Sequence, residues 1–142
     1  FIPIRSYNAS VRRSNPKKIY VADHALASSC THGLSENTGA NLENIVFLHI
    51  KRKCDDVYYY LTAKGHEIDF LIGKDDDLHI VQVCVSLQDA ETRKREIRAV
   101  AEAMGELKIE RGRIVTLDEE EEVVVPEGRI VVLPAWKYLL QE

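Results

Sequence analysis

Four oxygen-bearing side chains stand inside stretches patterned for regular structure, and their spacing could bring them together. Along residues 67–72 charge alternates with bulk. Glu67, Asp69 and Leu71 fall on one face of a strand, and Ile68, Phe70 and Ile72 on the other. Residues 78–86 repeat the alternation, with Ile80, Gln82, Cys84 and Ser86 opposite Val81, Val83 and Val85. If the two runs are antiparallel neighbours, Asp69 and Gln82 lie within a few ångströms of each other. Glu43 sits mid-helix beside apolar positions and can point to the same end of the sheet. Oxygens converging in this way are what Mg²⁺ or Mn²⁺ requires, because hard cations take carboxylate, amide and water oxygens. Glu43, Asp69 and Gln82 are therefore the candidate metal ligands. A cation held there would activate a water and neutralise charge on a phosphodiester in its transition state.

Simpler roles are open to the same residues. Glu67 and Asp69 could form the solvent face of an amphipathic strand, and Glu43 could be a solvated helix position. Gln82 and Cys84 could be a satisfied, half-buried pair, since cysteine often packs as a small hydrophobe. His24, Cys30 and His32 suggest zinc but match no closed site and lack a fourth ligand. Cys84 as a nucleophile would need His66 or His79 within hydrogen-bond reach. Tyr58, Tyr59 and Tyr60 alternate sides in a strand, which favours core packing over base stacking. Arg93, Lys94, Arg95 and Arg98 read as a solvated helix face.

The elements that must position these groups follow from periodicity. Residues 36–53 are helical, with Leu42, Ile45, Val46, Leu48 and His49 recurring at three- and four-residue spacing. Three strands follow, at 57–61, 67–72 and 78–86, separated by Lys64-Gly65 and by Asp75-Asp76-Asp77. A second helix spans 89–107, with Ile97, Val100, Ala101 and Met104 on one side. A fourth strand at 113–117 then leads to a hairpin, 123–125 with 130–133, around Pro126-Glu127-Gly128. Residues 136–140 close as a short helix, and residues 19–22 form a short early strand. Residues 1–18 show little periodicity and contain the Asn15-Pro16 break, so they read as a linker or the end of a preceding module. A strand, helix, strand step implies a parallel crossover and an α/β sandwich.

With 142 residues, 45% hydrophobic and 30% charged, the chain can build one domain with a core. No apolar run approaches the roughly 20 residues of a membrane-spanning helix, so no membrane partner is expected. Three widely spaced cysteines make a poor disulfide framework and point to the cytoplasm. Phe1 in place of an initiating methionine is expected of a fragment or a processed chain. The net charge of −4 does not advertise nucleic-acid binding. The distribution is uneven, however: Arg5, Arg12, Arg13, Lys17 and Lys18 form a basic arm that could face DNA phosphates, and Glu119 to Glu122 form an acidic run. No phosphate-binding G-x-x-x-x-G-K-[ST] loop is present, so this stretch carries no ATP site of that kind.

Three segments carry a resemblance: Asn15-Pro-Lys-Lys-Ile-Tyr-Val-Ala-Asp23, Gly39-Ala-Asn-Leu-Glu43-Asn44 and Gly65-His-Glu-Ile-Asp-Phe-Leu-Ile72. Together they resemble the C-terminal region of uncharacterised archaeal and bacterial AAA-type ATPases, over about residues 15–140. In that family the region follows a P-loop domain and a winged-helix segment, and it is similar to the PD-(D/E)XK nuclease fold. The resemblance implies a restriction-endonuclease-like sandwich over residues 19–142, a central mixed sheet flanked by helices with a C-terminal β-hairpin. Residues 1–18 would be a linker or the end of the winged-helix module.

Carried over residue by residue, Glu43 matches the helix glutamate and Asp69 the metal-binding aspartate. The (D/E)XK element falls on Gln82-Val83-Cys84, where two departures occur. Gln82 replaces a carboxylate and Cys84 replaces the catalytic lysine. A neutral thiol cannot stabilise developing charge, and loss of such a group costs about 2.7–4 kcal/mol of transition-state stabilisation. Lys64 or Lys74, in flanking turns, would be the substitutes to consider. The resemblance thus implies a catalytically degraded nuclease-fold module that binds DNA or the ATPase domain of its own parent chain. The alternatives are an active Mg²⁺- or Mn²⁺-dependent DNA endonuclease and a structural or oligomerising domain.

Overall fold

The computed structural model describes residues 2–8, 17–22 and 38–141. Its strands are β1 (Ile2–Ser6), β2 (Lys18–Tyr20), β3 (Val57–Leu61), β4 (Glu67–Lys74), β5 (Asp77–Val83), β6 (Arg111–Thr116), β7 (Glu121–Val125) and β8 (Gly128–Pro134). The helices are α1 (Thr38–Lys53), α2 (Ala90–Leu107) and α3 (Ala135–Leu139). All strands join one eight-stranded mixed sheet in the order β2-β1-β3-β4-β5-β6-β8-β7.

The middle of the sheet is the meander that alternation predicts. β3, β4 and β5 pair antiparallel, turning at Gly65 with φ +84° and at Asp75 with φ +52°. From β5 the chain crosses through α2 to a parallel partner, β6, which pairs parallel with β8. β7 hangs antiparallel on the outside of β8, completing the expected C-terminal hairpin. Asp89 caps α2 by accepting from Thr92 N at 2.8 Å, and Lys108 ends it in the left-handed region.

Two apolar layers hold the helices to opposite faces. Val46, Phe47 and Ile50 of α1 and Tyr138 of α3 pack with Val57, Tyr59, Phe70, Val81, Val115 and Leu133. Ala99, Val100, Ala103 and Met104 of α2 pack with Ile68, Leu71, Ile80, Ile114 and Ile130. Among the described residues no helix is long and apolar enough to cross a membrane.

The structure departs from the sequence-based expectation at three places. Ile2–Ser6, expected to be linker, is a strand inside the sheet, pairing parallel with β3 and antiparallel with β2. β5 ends at Val83 rather than 86, although Cys84 N still donates to Val115 O and Leu117 N to Val85 O, and beyond them Glu119 accepts from Leu87 N at 2.7 Å. The third departure matters most. Tyr58 pairs with Leu71 but Tyr60 with Ile68, so Asp69 and Phe70 together oppose Tyr59 in a β-bulge. Alternation therefore breaks inside β4. Ile68 and Leu71 both join the α2 layer, while Phe70 joins the α1 layer. Asp69 turns toward α1 with Phe70, away from the face of Leu71 on which strict alternation places it.

Gly112 lets α2 sit close on β6. A Cβ there would lie 2.4 Å from Val100 Cγ1 and 3.0 Å from Met104 Sδ. Gly112→Ala should destabilise the fold by about 1–3 kcal/mol in urea unfolding, the usual cost of overpacking. An unchanged midpoint would show that Val100 and Met104 yield freely.

Candidate functional site

A single lysine organises the site. Lys18, on edge strand β2, places Nζ 2.8 Å from Asp69 Oδ1, 2.8 Å from Glu67 Oε1 and 3.1 Å from Glu43 Oε1. Tyr20, two residues on and so on the same side of the strand, donates its hydroxyl to Glu43 Oε1 at 2.6 Å. Ile19 points outward and is 64% exposed. The strand is aimed by two contacts with α1. The Tyr20 ring stacks on Phe47 at 4.1 Å between centroids. Asn44 accepts from Val21 N at 2.8 Å and donates to Val21 O at 3.2 Å. Lys18, Tyr20, Asn44 and the three carboxylates line an open cavity of about 550 Å³ between β2, α1 and β4.

Asp69 is fixed from behind as well, its Oδ2 accepting from Val83 N at 3.0 Å. Glu43 and Asp69 are thus brought together as expected, and Glu67 joins them. Gln82 is not. The bulge sends Asp69 to the α1 side, whereas Gln82 alternates with Val81 and reaches α2. Its amide nitrogen donates to Glu96 Oε2 at 2.8 Å and its carbonyl accepts from Asp69 N at 3.0 Å. Arg95 in turn donates to Glu96. Gln82 is therefore a buried brace between sheet and helix, not a ligand beside the carboxylates. Cys84 lies beyond the end of β5, with its thiol turned to Ser86 O, and burial pushes that thiol upward in pKa. It stays neutral.

The expected substitutes are committed elsewhere. Lys64 pairs with Glu102 and Lys74 with Asp56. Lys18, a member of the basic arm, is the cation in the site. One signal was available: Lys18 and Tyr20 share a face in the apolar stretch, and it is Ile19 that must then face outward. Other early candidates resolve as packing or pairing. Tyr59 and Tyr60 enter the two cores, and Tyr58 meets Tyr7 edge-on at 5.6 Å. His66 pairs with Glu102 and His79 with Asp77. Arg93 pairs with Glu121, while Glu120 and Glu122 pair with Lys137 and Arg129, so the acidic run is spent in local contacts. His24, Cys30 and His32 lie outside the described residues.

Three carboxylates share one ammonium, and the electrostatics follow from that imbalance. Burial alone would lower Lys18, but Asp69 and Glu43 outweigh it and hold the ammonium protonated. Burial, with Glu43 beside it, raises Asp69 to about 6 despite the opposing pull of Lys18. Burial and Glu43 also keep the Tyr20 phenol protonated. Among the described residues no three His, Cys, Asp or Glu side chains are arranged to hold a metal ion. The carboxylates of Glu43, Glu67 and Asp69 are turned onto Lys18.

The raised Asp69 gives a pH signature of definite sign. The folded state holds this proton when the unfolded chain has lost it, so Asp69 makes stability fall as pH rises from about 4 to about 6. The difference in unfolding free energy between the wild type and Asp69→Asn should shift against the wild type over that window, by on the order of 2 kcal/mol. Urea titrations at pH 4, 5, 6 and 7 measure it. A pH-independent difference would contradict the assignment.

"Uncharacterized protein MJ1544" of Methanocaldococcus jannaschii is 31% identical over 147 residues, covering 96% of this chain and 32% of that protein. The chain thus spans about a third of the length of this curated relative. No solved structure matches. Residues 38–138, which hold α1, the meander carrying Glu43, Glu67 and Asp69, and everything as far as α3, match the domain of unknown function DUF4143, and the chain belongs to that family.

Proposed function

We propose that this chain is a restriction-endonuclease-like module that has lost metal-dependent hydrolysis and serves an AAA-type ATPase, its parent chain, by binding DNA. The observation that carries the reading is Lys18 Nζ within 3.1 Å of Glu43, Glu67 and Asp69 at once. An ammonium at the focus of the carboxylates supplies the neutralisation that Mg²⁺ or Mn²⁺ would otherwise supply. It cannot lower the pKa of a water to make a nucleophile, which a cation in that place does. Gln82 held by Glu96 and the neutral Cys84 support the same reading, since both halves of the (D/E)XK element are withdrawn from chemistry.

Support for DNA comes from the resemblance and from the basic arm. Lys18 is drawn into the ion cluster, which leaves Arg5 and Lys17, both exposed, as described members of that arm. Arg12 and Arg13 lie outside the described residues. A second reading, a Mg²⁺- or Mn²⁺-dependent DNA endonuclease, is favoured by one observation. The ammonium absent from the Cys84 position is present on β2, 2.8 Å from Asp69.

Cleavage and binding separate the two. The chain should not cut single- or double-stranded DNA above the level of its Asp69→Ala variant, in Mg²⁺ or in Mn²⁺. Cleavage that Asp69→Ala abolishes would establish the nuclease and end the degraded-site reading. Fluorescence anisotropy should show duplex binding at low salt that weakens steeply as salt rises, as phosphate contacts require. Absence of binding at low salt would remove DNA as the partner and leave a protein surface, the ATPase domain first, in its place.

A further inference from the structure

A second cavity lies under the opposite end of α1 and has the opposite charge character. It encloses about 340 Å³ between the last turns of α1, strands β4 to β6, and α3. His49 and Lys53 reach it from α1, His79 from β5 and Arg113 from β6, with Tyr138 on the α3 side. None of its lining residues is acidic, although the chain carries a net charge of −4 and three carboxylates line the first cavity.

Helix electrostatics account for part of this. Lys51, Arg52 and Lys53 complement the negative end of the α1 dipole, and Lys53 donates to the Gln141 carbonyl. Arg113 needs another reason. It sits half-buried mid-strand on the α1 side of the sheet, between Gly112 and Ile114, which face α2. Arg93, Arg95 and Arg129 each have a carboxylate partner. Arg113 has none among the described residues. His79 is held at the rim by the exposed Asp77, 3.1 Å away. His49 meets the Tyr138 ring edge-on at 5.6 Å. Burial, with Lys53 and Arg52 nearby, keeps His49 below its ordinary pKa, so its imidazole offers a neutral hydrogen-bonding edge.

We propose that this cavity binds the phosphate of a small phosphomonoester. Arg113 would fork two of its oxygens, with the Lys53 ammonium completing the charge match and the His79 imidazole as a further hydrogen-bonding group at the rim. A monoester dianion suits two permanent cations better than a carboxylate does, and it uses more of the donors. The volume lies at the lower end of the roughly 300–1,000 Å³ typical of small-ligand sites. Ile50 and Ile72 give an apolar wall for the organic part of the ester. The proposal does not depend on the nuclease-fold reading, because none of these residues belongs to the Lys18 cluster.

The purified chain would be titrated with phenyl phosphate and with inorganic phosphate, following its melting temperature and the binding heat against chloride at matched ionic strength. Phenyl phosphate should raise the melting temperature by several degrees, and inorganic phosphate by less. Arg113→Gln should weaken phenyl phosphate binding at least tenfold, and His79→Gln, at the exposed rim, severalfold, with the unliganded variants melting as cooperatively as the parent. If neither anion stabilises the parent beyond chloride, or if both variants bind as the parent does, the proposal is wrong. Should Arg113→Gln fail to fold, the His79→Gln titration decides.

Discussion

One ammonium among three carboxylates is the constraint on which the rest of this site depends. Glu43, Glu67 and Asp69 come from a helix and a strand that the core holds together, so the backbone keeps the three carboxylates near one another. Without Lys18 they would have to take up protons or a metal. Removing one partner from a buried ion pair costs about 3–5 kcal/mol. Lys18 keeps 21% of its side chain exposed, so its own contribution lies toward the low end. What the ammonium provides in charge it withholds in chemistry, since it can neutralise carboxylates but cannot hold and ionise a water.

The fold arranges this through features that have little to do with stability alone. The bulge opposite Tyr59 turns Asp69 and Phe70 to the same side, which places a carboxylate at the rim of the α1 core and fixes it to Val83 N. The Asn44 clamp on Val21 and the Tyr20–Phe47 stack then deliver Lys18 from a three-residue edge strand. Gln82, left on the other side of the sheet, becomes a buried link from Asp69 N to Glu96. A family described only as a domain of unknown function is therefore represented here by a chain whose carboxylate cluster is neutralised in part by its own lysine.

Much of the central meander was legible in the sequence. Alternation with Gly65 and Asp75 at the turns marks β3 to β5, and three- and four-residue spacing marks α1 and α2. Glu43 and Asp69 were also legible as a pair, because each is a carboxylate inside an apolar pattern. The bulge was not, since it is set by cross-strand register between Tyr58, Tyr60 and their partners, which no local pattern encodes. The misplacement of Gln82 beside Asp69 follows directly from that. β1 escaped notice for a related reason, and β2 was legible only as a short strand at 19–22 without its partner. The pairing of β1 depends on β3, about fifty positions away, and a short segment of this kind carries almost no periodicity.

The two cavities under α1 give the chain an acidic, lysine-plugged end and a cationic end on one face of the sheet. The proposal that Lys18 stands where a divalent cation would is tested most directly by measuring free Mn²⁺ by electron paramagnetic resonance as protein is added. The account predicts no binding tighter than about millimolar in the wild type, and at least tenfold tighter binding in Lys18→Met, whose carboxylates are left without their ammonium. Stoichiometric, micromolar Mn²⁺ binding by the wild-type chain, lost in Asp69→Ala, would contradict it.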